Sequence, residues 1–179
     1  LLPFFLIIGI LVGTTSRGGV FFCQERVTTY GRHFKIIKFR TMVPDAEAKG
    51  SQVTTKGDSR VTTVGRFLRK VRLDELPQVI NIIKGDMSFV GTRPEVPRYV
   101  ERYTKEMYAT LLLPAGVTSK ASIEYKDEER LLSAGGDVDR TYVEQVLPEK
   151  MKYNLEYLKE FSVLTDGKLM IQTVVAVLH

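Results

Sequence analysis

The apolar positions of the chain change period along its length, and the periods predict the elements. Residues 1–13 (LLPFFLIIGILVG) form an apolar run without a charge. At 1.5 Å per helical residue the run reaches about 20 Å, short of a ~30 Å hydrocarbon core. No transmembrane helix is complete there, and a helix dipping into a membrane or a buried core helix both fit such a length. The run opens without Met and in mid-stretch, so the sequence reads as truncated or processed. A signal-peptide core is the rival reading, but no basic segment precedes it and no small-x-small cleavage site follows. Residues 20–22 and 34–39 read as short strands of a hairpin, with Tyr30-Gly31-Arg32 as its turn. Residues 44–58 are polar and read as a loop with a short helix at 45–49. Val64, Phe67, Leu68 and Val71 stand at helical spacing and predict an amphipathic helix over 65–72. Leu76, Val79, Ile80 and Ile83 repeat the spacing, and Gly85 suits the position that ends that second helix. Residues 97–113, stopped by Pro114, predict a third helix, and 141–161 and 167–178 the last two. The final segment is rich in Val, which leaves helix or strand open there. Gly135-Gly136 marks a loop within one domain.

Composition narrows the class. The chain has 179 residues, 44% hydrophobic and 26% charged, which suits one globular α+β domain and excludes wholesale disorder. The expected architecture is mostly helical with a small β-hairpin, residues 1–16 forming a membrane-dipping helix and 17–179 the catalytic domain. A single cysteine, Cys23, permits no internal disulfide. Two histidines, His33 and His179, all but exclude a His/Cys zinc site and leave a Ser-His-Asp machine resting on His33. The net charge of +5 is unevenly spread. Arg17, Arg26, Arg32, Lys35, Lys38 and Arg40 face only Glu25, directly after the apolar run. That order suits a segment emerging from a membrane onto anionic lipid, or equally a buried helix followed by a solvated basic loop. Between 127 and 144 the balance turns acidic. Despite an isoelectric point near 9.3, no basic-aromatic platform or nucleic-acid motif accompanies the charge, so nucleic acid is not an expected partner.

Chemistry concentrates between the first two amphipathic helices, in Arg69-Lys70-Val71-Arg72-Leu73-Asp74-Glu75-Leu76-Pro77-Gln78. Pro77 fits the first turn of a helix, which puts Asp74 and Glu75 at its N-terminal end. Adjacent carboxylates flanked by Arg69 and Arg72 suit metal-assisted phosphoryl transfer, the carboxylates holding Mg²⁺ or attacking phosphorus while arginines offset charge. The plainer alternative is a helix cap: Asp is a preferred N-cap, and Glu in a first turn complements the helix dipole. Arg93 precedes Pro94, which restricts its backbone to extended conformations and limits the directions of a guanidinium suited to phosphate.

The ordered strings VFFCQERV, FKIIKFRTM, LRKVRLDELPQVINIIKGDMSFVGTRPEV and LLLPAGVTS resemble the bacterial sugar transferase family, the monotopic phosphoglycosyl transferases. The resemblance implies an enzyme on the cytoplasmic face of the bacterial inner membrane. It would move a sugar 1-phosphate from a UDP-sugar to polyprenyl (undecaprenyl) phosphate and release UMP, opening assembly of an O-antigen, capsule, exopolysaccharide or glycoprotein glycan. It implies Asp74 as nucleophile, giving an aspartyl phospho-sugar, and Glu75 beside it, with magnesium (Mg²⁺) at the pair. It implies substrate-binding roles for Arg69 and Arg93, to which Arg72, Lys38 and Arg40 are added from their position. Leu2-Pro3 stands at the bend of the family's re-entrant membrane helix, where Ser-Pro is usual and before which the first half is missing, and Pro3, Phe4, Phe5 and Leu6 are the implied membrane residues. The family's Pro-Arg-Pro is Thr92-Arg93-Pro94 here, and Asn154 stands where an Asp is usual. The implied partners are the UDP-sugar, the polyprenyl phosphate and anionic lipid, with a homodimer left open. An ionised Asp needs no general base, in keeping with the scarcity of His. A non-catalytic membrane-binding module remains the alternative; it predicts liposome binding without Mg²⁺-dependent turnover.

Overall fold

A computed structural model describes residues 2–132 and 137–178; the loop expected at Gly135-Gly136 lies outside them. The apolar run forms helix α1 (Leu2–Thr15). Ile8 and Val12 are buried against Phe39 and Leu68, with Phe5, Leu73 and Leu76 packed around them. Phe4, Leu6, Ile7 and Ile10 face outward. The inward face meets the expectation of a core helix, and the outward face is left as exposed apolar surface. No helix among the described residues is long and apolar enough to cross a membrane.

The hairpin forms as β1 (Phe21–Val27) and β2 (His33–Phe39), antiparallel with Phe21 opposite Phe39 and Val27 opposite His33. It is longer than the apolar residues alone indicate, because polar side chains of β1 occupy its exposed positions. The turn is closed by Gly31 N–H to the Thr28 carbonyl at 3.1 Å, with Tyr30 and Gly31 both at positive φ. The expected short helix is a 3₁₀ turn at Ala46–Lys49. Helix α2 (Thr63–Lys70) starts where the Thr62 hydroxyl accepts the Gly65 N–H at 2.9 Å. A 3₁₀ turn (Leu73–Glu75) leads into α3 (Gln78–Ile83), and Gly85 follows at φ +77 as its spacing indicated.

Several features depart from the pattern. β3 (Met87–Val90) pairs in parallel with β4 (Ala115–Thr118), a second small sheet that the sequence does not signal. The helix expected over 97–113 is instead α4 (Pro97–Val100) and a separate 3₁₀ turn, Met107–Leu112. Thr104 divides them: its hydroxyl accepts the Met107 N–H and restarts the chain as a cap would. Residues 120–132 form two short helices, α5 (Lys120–Glu124) and α6 (Glu128–Leu132). The next expected helix is α7 (Val138–Thr141), a π turn (Tyr142–Val146) and α8 (Leu147–Glu160). Pro148 has no N–H to offer the carbonyl four residues back, which accounts for the widened turn. The valine-rich end resolves as helix, α9 (Val163–Leu178), packed on β3, β4 and α5. The main core joins Val27 of β1, Tyr99 and Val100 of α4, Leu132 of α6, Tyr142, and Leu147 and Met151 of α8.

Candidate active site

Asp74 and Glu75 reach the site through a backbone that the apolar residues steer. Leu73 and Leu76, on either side of the pair, pack into the α1 cluster. The carboxylates between them are also buried, at 6% and 8% exposure, against β2. The reversal from α2 is made by Arg72 in the left-handed region (φ +57), a conformation that costs about 1 kcal/mol for a residue with a Cβ. Arg93 arrives from the other side, just past β3. There Gly91 and Gly116 cross so closely that a Cβ on Gly116 would lie 2.1 Å from the Gly91 nitrogen. Thr92, where the family pattern has Pro, is buried, and its carbonyl accepts the Gly116 N–H at 2.9 Å. Lys38 follows Phe34 and Ile36 at period two, which puts it on the same face of β2 as those two buried residues.

These cations converge on Glu75. Lys38 Nζ donates to Oε1 at 3.2 Å, Arg93 Nη1 donates to Oε2 at 3.2 Å and its Nη2 to Oε1, and Arg72 Nη1 lies 3.8 Å away. Asp74 is treated oppositely: its Oδ1 is buried with no hydrogen-bond partner among the described residues. Neither the 3₁₀ turn nor α3 has a side-chain cap, so the capping alternative for Asp74 finds no bond to rest on.

The environments push the two carboxyls apart. Burial would raise Glu75, but Arg93 and Lys38 hold it well below the ordinary carboxylate range. Burial, then repulsion by Glu75, raises Asp74 above its ordinary value; Lys38, Arg69 and Arg93 only partly oppose this. Burial lowers the Lys38 ammonium to about 8 against the pull of Glu75. The result is one carboxylate locked as an anion by its cations and a neighbour that is more basic and less solvated. Such a division marks different chemical roles.

Asp74 stands where two cavities meet, one of about 380 Å³ and one of about 1060 Å³. Both are lined by Lys38, Arg69, Asp74, Arg93, Glu128 and Lys150. Arg69 pairs with Glu129 of α6 at 2.5 Å. Lys150 of α8 reaches Glu128 at 2.9 Å and the Tyr142 hydroxyl at 3.3 Å, and that hydroxyl donates to Glu95 at 2.5 Å. Burial opposes ionisation of Glu128, yet Lys150 carries it below its ordinary value. Sequence reasoning did not single out Glu128, Glu129 or Lys150. They lie in an acidic run and a helix whose local pattern reads as solvated, and only the tertiary packing brings them to the cavity walls.

Of the other expected residues, Arg40 lines the smaller cavity, whereas Pro3, Phe4, Phe5 and Leu6 line neither. Arg40 is buried beneath the end of α1, donating to the carbonyls of Ser16, Arg17, Gly18 and Gly19. Arg26 donates to the Pro94 carbonyl at 3.0 Å. Arg26, Lys38 and Arg40 are therefore turned into the protein, and the basic stretch is no single lipid-facing surface. Pro3, Phe4 and Leu6 are exposed, whereas Phe5 turns inward with its ring 5.4 Å from that of Phe39. Asn154 is buried in the core, with Nδ2 3.7 Å from the Met151 sulfur, and lines neither cavity. No cluster of three or more His, Cys, Asp or Glu able to hold a metal occurs among the described residues.

The profile of the bacterial sugar transferase family matches residues 1–179. The chain belongs to that family. Among curated relatives, a UDP-N-acetylgalactosamine-undecaprenyl-phosphate N-acetylgalactosaminephosphotransferase of Aeromonas hydrophila is 35% identical over 98% of the chain and 39% of its own length. A UDP-glucose:undecaprenyl-phosphate glucose-1-phosphate transferase of Escherichia coli is 34% identical over 96% of the chain and 35% of its own length. The exopolysaccharide production protein ExoY of Rhizobium meliloti is 34% identical over 98% of the chain and 77% of its own length. The chain thus spans well under half of the first two relatives. The relatives' names join undecaprenyl phosphate to sugars of more than one kind.

Proposed function

We propose that the chain is the catalytic part of a phosphoglycosyl transferase that moves a sugar 1-phosphate from a UDP-sugar to polyprenyl phosphate and releases UMP. The observation that carries this reading is the buried, unpartnered Oδ1 of Asp74 at a cavity junction lined by Lys38, Arg69 and Arg93. A diphosphate and a carboxylate repel by about 4 kcal/mol per charge pair at 4 Å and an effective dielectric of 20. The three cations offset that repulsion and leave the Asp74 oxygen free to approach phosphorus in line.

In the first half-reaction an Asp74 oxygen bonds to the β-phosphorus of the donor, the bond from that phosphorus to the bridging oxygen breaks, and UMP leaves with the electron pair. In the second, an oxygen of the lipid phosphate bonds to the same phosphorus and the aspartyl bond breaks, restoring the carboxylate. No proton transfer is required in either half. Glu75 fixes Lys38 and Arg93 in place rather than attacking, since its own oxygens already accept from both. Asp74, with donor phosphate oxygens, suits a Mg²⁺ ion, and Glu75 would join only by exchanging one of its cations. When bound, the ion would neutralise diphosphate charge. The outward side of α1, with Phe4, Leu6, Ile7 and Ile10 exposed, supports attachment at the bacterial membrane where a polyprenyl acceptor resides.

The test is UMP release from a panel of UDP-sugars with undecaprenyl phosphate and Mg²⁺. Turnover of at least one donor by the wild-type protein, lost in Asp74→Asn, is expected. Equal turnover by Asp74→Asn would remove the mechanism.

A further inference from the structure

The two cavities that meet at Asp74 differ in character, and in-line chemistry dictates how two substrates must share them. UMP leaves phosphorus from the side opposite the Asp74 oxygen. The lipid phosphate must enter from that same side to displace Asp74. The α-phosphate of the donor and the phosphate of the acceptor therefore use one place in turn, while the nucleoside and the prenyl chain need not overlap.

From this geometry we infer that the smaller cavity takes the nucleoside of the donor, the larger one takes the first isoprene units of the acceptor, and the junction residues serve both phosphates. This assignment rests on the transferase reading above. The smaller cavity, about 380 Å³, lies in the usual ~300–1,000 Å³ range of small-molecule sites. Away from the junction it is lined by hydrogen-bonding groups, Gln24, Ser51, Gln52 and Thr54, with the rings of Phe22 and Tyr99. Its wall over residues 46–60 is pinned. Arg60 donates to the Ala46 and Ser51 carbonyls at 2.9 Å and pairs with Asp58, and Ser51 Oγ donates to Asp139 at 2.7 Å. A fixed set of donors and acceptors beside aromatic rings suits a base and a ribose.

The larger cavity is amphiphilic. Arg66, Lys70 and Arg72 line it, Arg72 beside Glu75, while Leu76, Val79, Ile82, Phe89, Val117 and Val177 are its apolar lining. Its apolar side runs from the inward face of α1 to exposed apolar residues. Leu76 also packs into the α1 cluster. Phe89 is half exposed, and Val174 and Val175, next to the lining residues Ala176 and Val177, are exposed as well. An apolar path that starts at a cationic pocket and continues outside matches a phosphate carried on a prenyl chain. A soluble nucleotide would leave it uncovered.

The experiment compares two cavity-filling variants of the full chain in detergent–lipid micelles, Gln52→Trp and Ala176→Phe. In a ping-pong reaction kcat/KM for each substrate reports only its own half-reaction. Gln52→Trp should lower kcat/KM for the UDP-sugar about tenfold or more, and Ala176→Phe should lower that for the polyprenyl phosphate by a similar factor, each sparing the other substrate. Uridine should compete with the donor alone, a short prenyl alcohol with the acceptor alone, and UMP with both. Melting curves check that both variants fold, and Gln52→Ala and Ala176→Leu serve if either does not. A reversed pattern, equal loss for both substrates, or no loss for either overturns the assignment while wild-type UMP release keeps the transferase reading. Absence of UMP release from every donor overturns both.

Discussion

Asp74→Asn should make the protein more stable while removing its activity. In the folded state burial and Glu75 raise the Asp74 carboxyl above its ordinary 3.8. Above that folded value the protein carries a buried charge that the unfolded chain holds in water, so ionisation of Asp74 opposes folding at neutral pH. As pH rises from 3.8 through the folded value, the native state holds the proton longer than the unfolded chain, and stability falls. An amide keeps the shape without the charge. A buried oxygen without a donor costs about 1–3 kcal/mol, and more when ionised, while loss of attraction to Lys38, Arg69 and Arg93 cancels much of the gain. The net effect is on the order of 1 kcal/mol, about 2–4 °C in melting temperature for a chain of this size. The assay is a melting series of wild type and Asp74→Asn between pH 4 and pH 8. The variant should melt higher at pH 7, and the gap should close toward acid pH as the wild-type carboxyl takes up its proton. A variant that melts lower at pH 7, by an amount independent of pH, would show that Asp74 is a structural cap and refute the reasoning.

Other outcomes follow from the same geometry. Arg93→Ala leaves Glu75 buried with one guanidinium gone, a loss of at most about 3–5 kcal/mol because Lys38 remains at 3.2 Å; an unchanged melting temperature would contradict the pairing. Lys38 gives two opposite pH dependences. Donor kcat/KM should fall as pH rises through about 8 and its charge is lost, whereas its contribution to stability should rise between about 8 and 10.5, where the unfolded chain alone keeps the proton. Parallel rise or parallel fall of both quantities would contradict this, and Lys38→Met should flatten both profiles. Gly116→Ala puts a Cβ 2.1 Å from the Gly91 nitrogen, so the β3–β4 crossing must open, at a cost of about 1–3 kcal/mol with Arg93 displaced; wild-type stability and turnover would argue against that contact. Arg40→Ala strips a charged donor from the carbonyls after α1 and should cost about 1.5–3 kcal/mol, seen as faster amide exchange across residues 2–19.

Local pattern made the hairpin, α2, α3 and the glycine after α3 legible, because each has its own period or its own terminator. β3 and β4 were not, since Met87–Val90 and Ala115–Thr118 are four residues each and their partners are distant in sequence. Strands that short carry too few positions to show alternation. The 97–113 segment has helical spacing at Tyr99, Tyr103 and Met107, yet Thr104 supplies a competing cap that spacing alone does not weigh. The site divides in the same way. Asp74, Glu75, Arg69 and Arg72 are legible as a contiguous string, and Arg93 by its following proline. Lys38 faces inward for a reason visible only once Phe34 and Ile36 are known to be buried. Arg40 belongs to the same basic run but two residues on, at the end of the strand, where its side chain meets the carbonyls after α1 instead of the dyad. Glu128 and Lys150 come to line the same cavities as Asp74 only through the packing of α6 and α8, which no local signal encodes.

The most direct test of the account is the mass of the protein after brief incubation with a UDP-sugar and Mg²⁺ in the absence of lipid acceptor. The account predicts a mass increase equal to one sugar phosphate, located by peptide mapping on Asp74, absent from Asp74→Asn and discharged by polyprenyl phosphate. Steady UMP release by a protein that never carries that adduct, or an adduct on another residue, would contradict it.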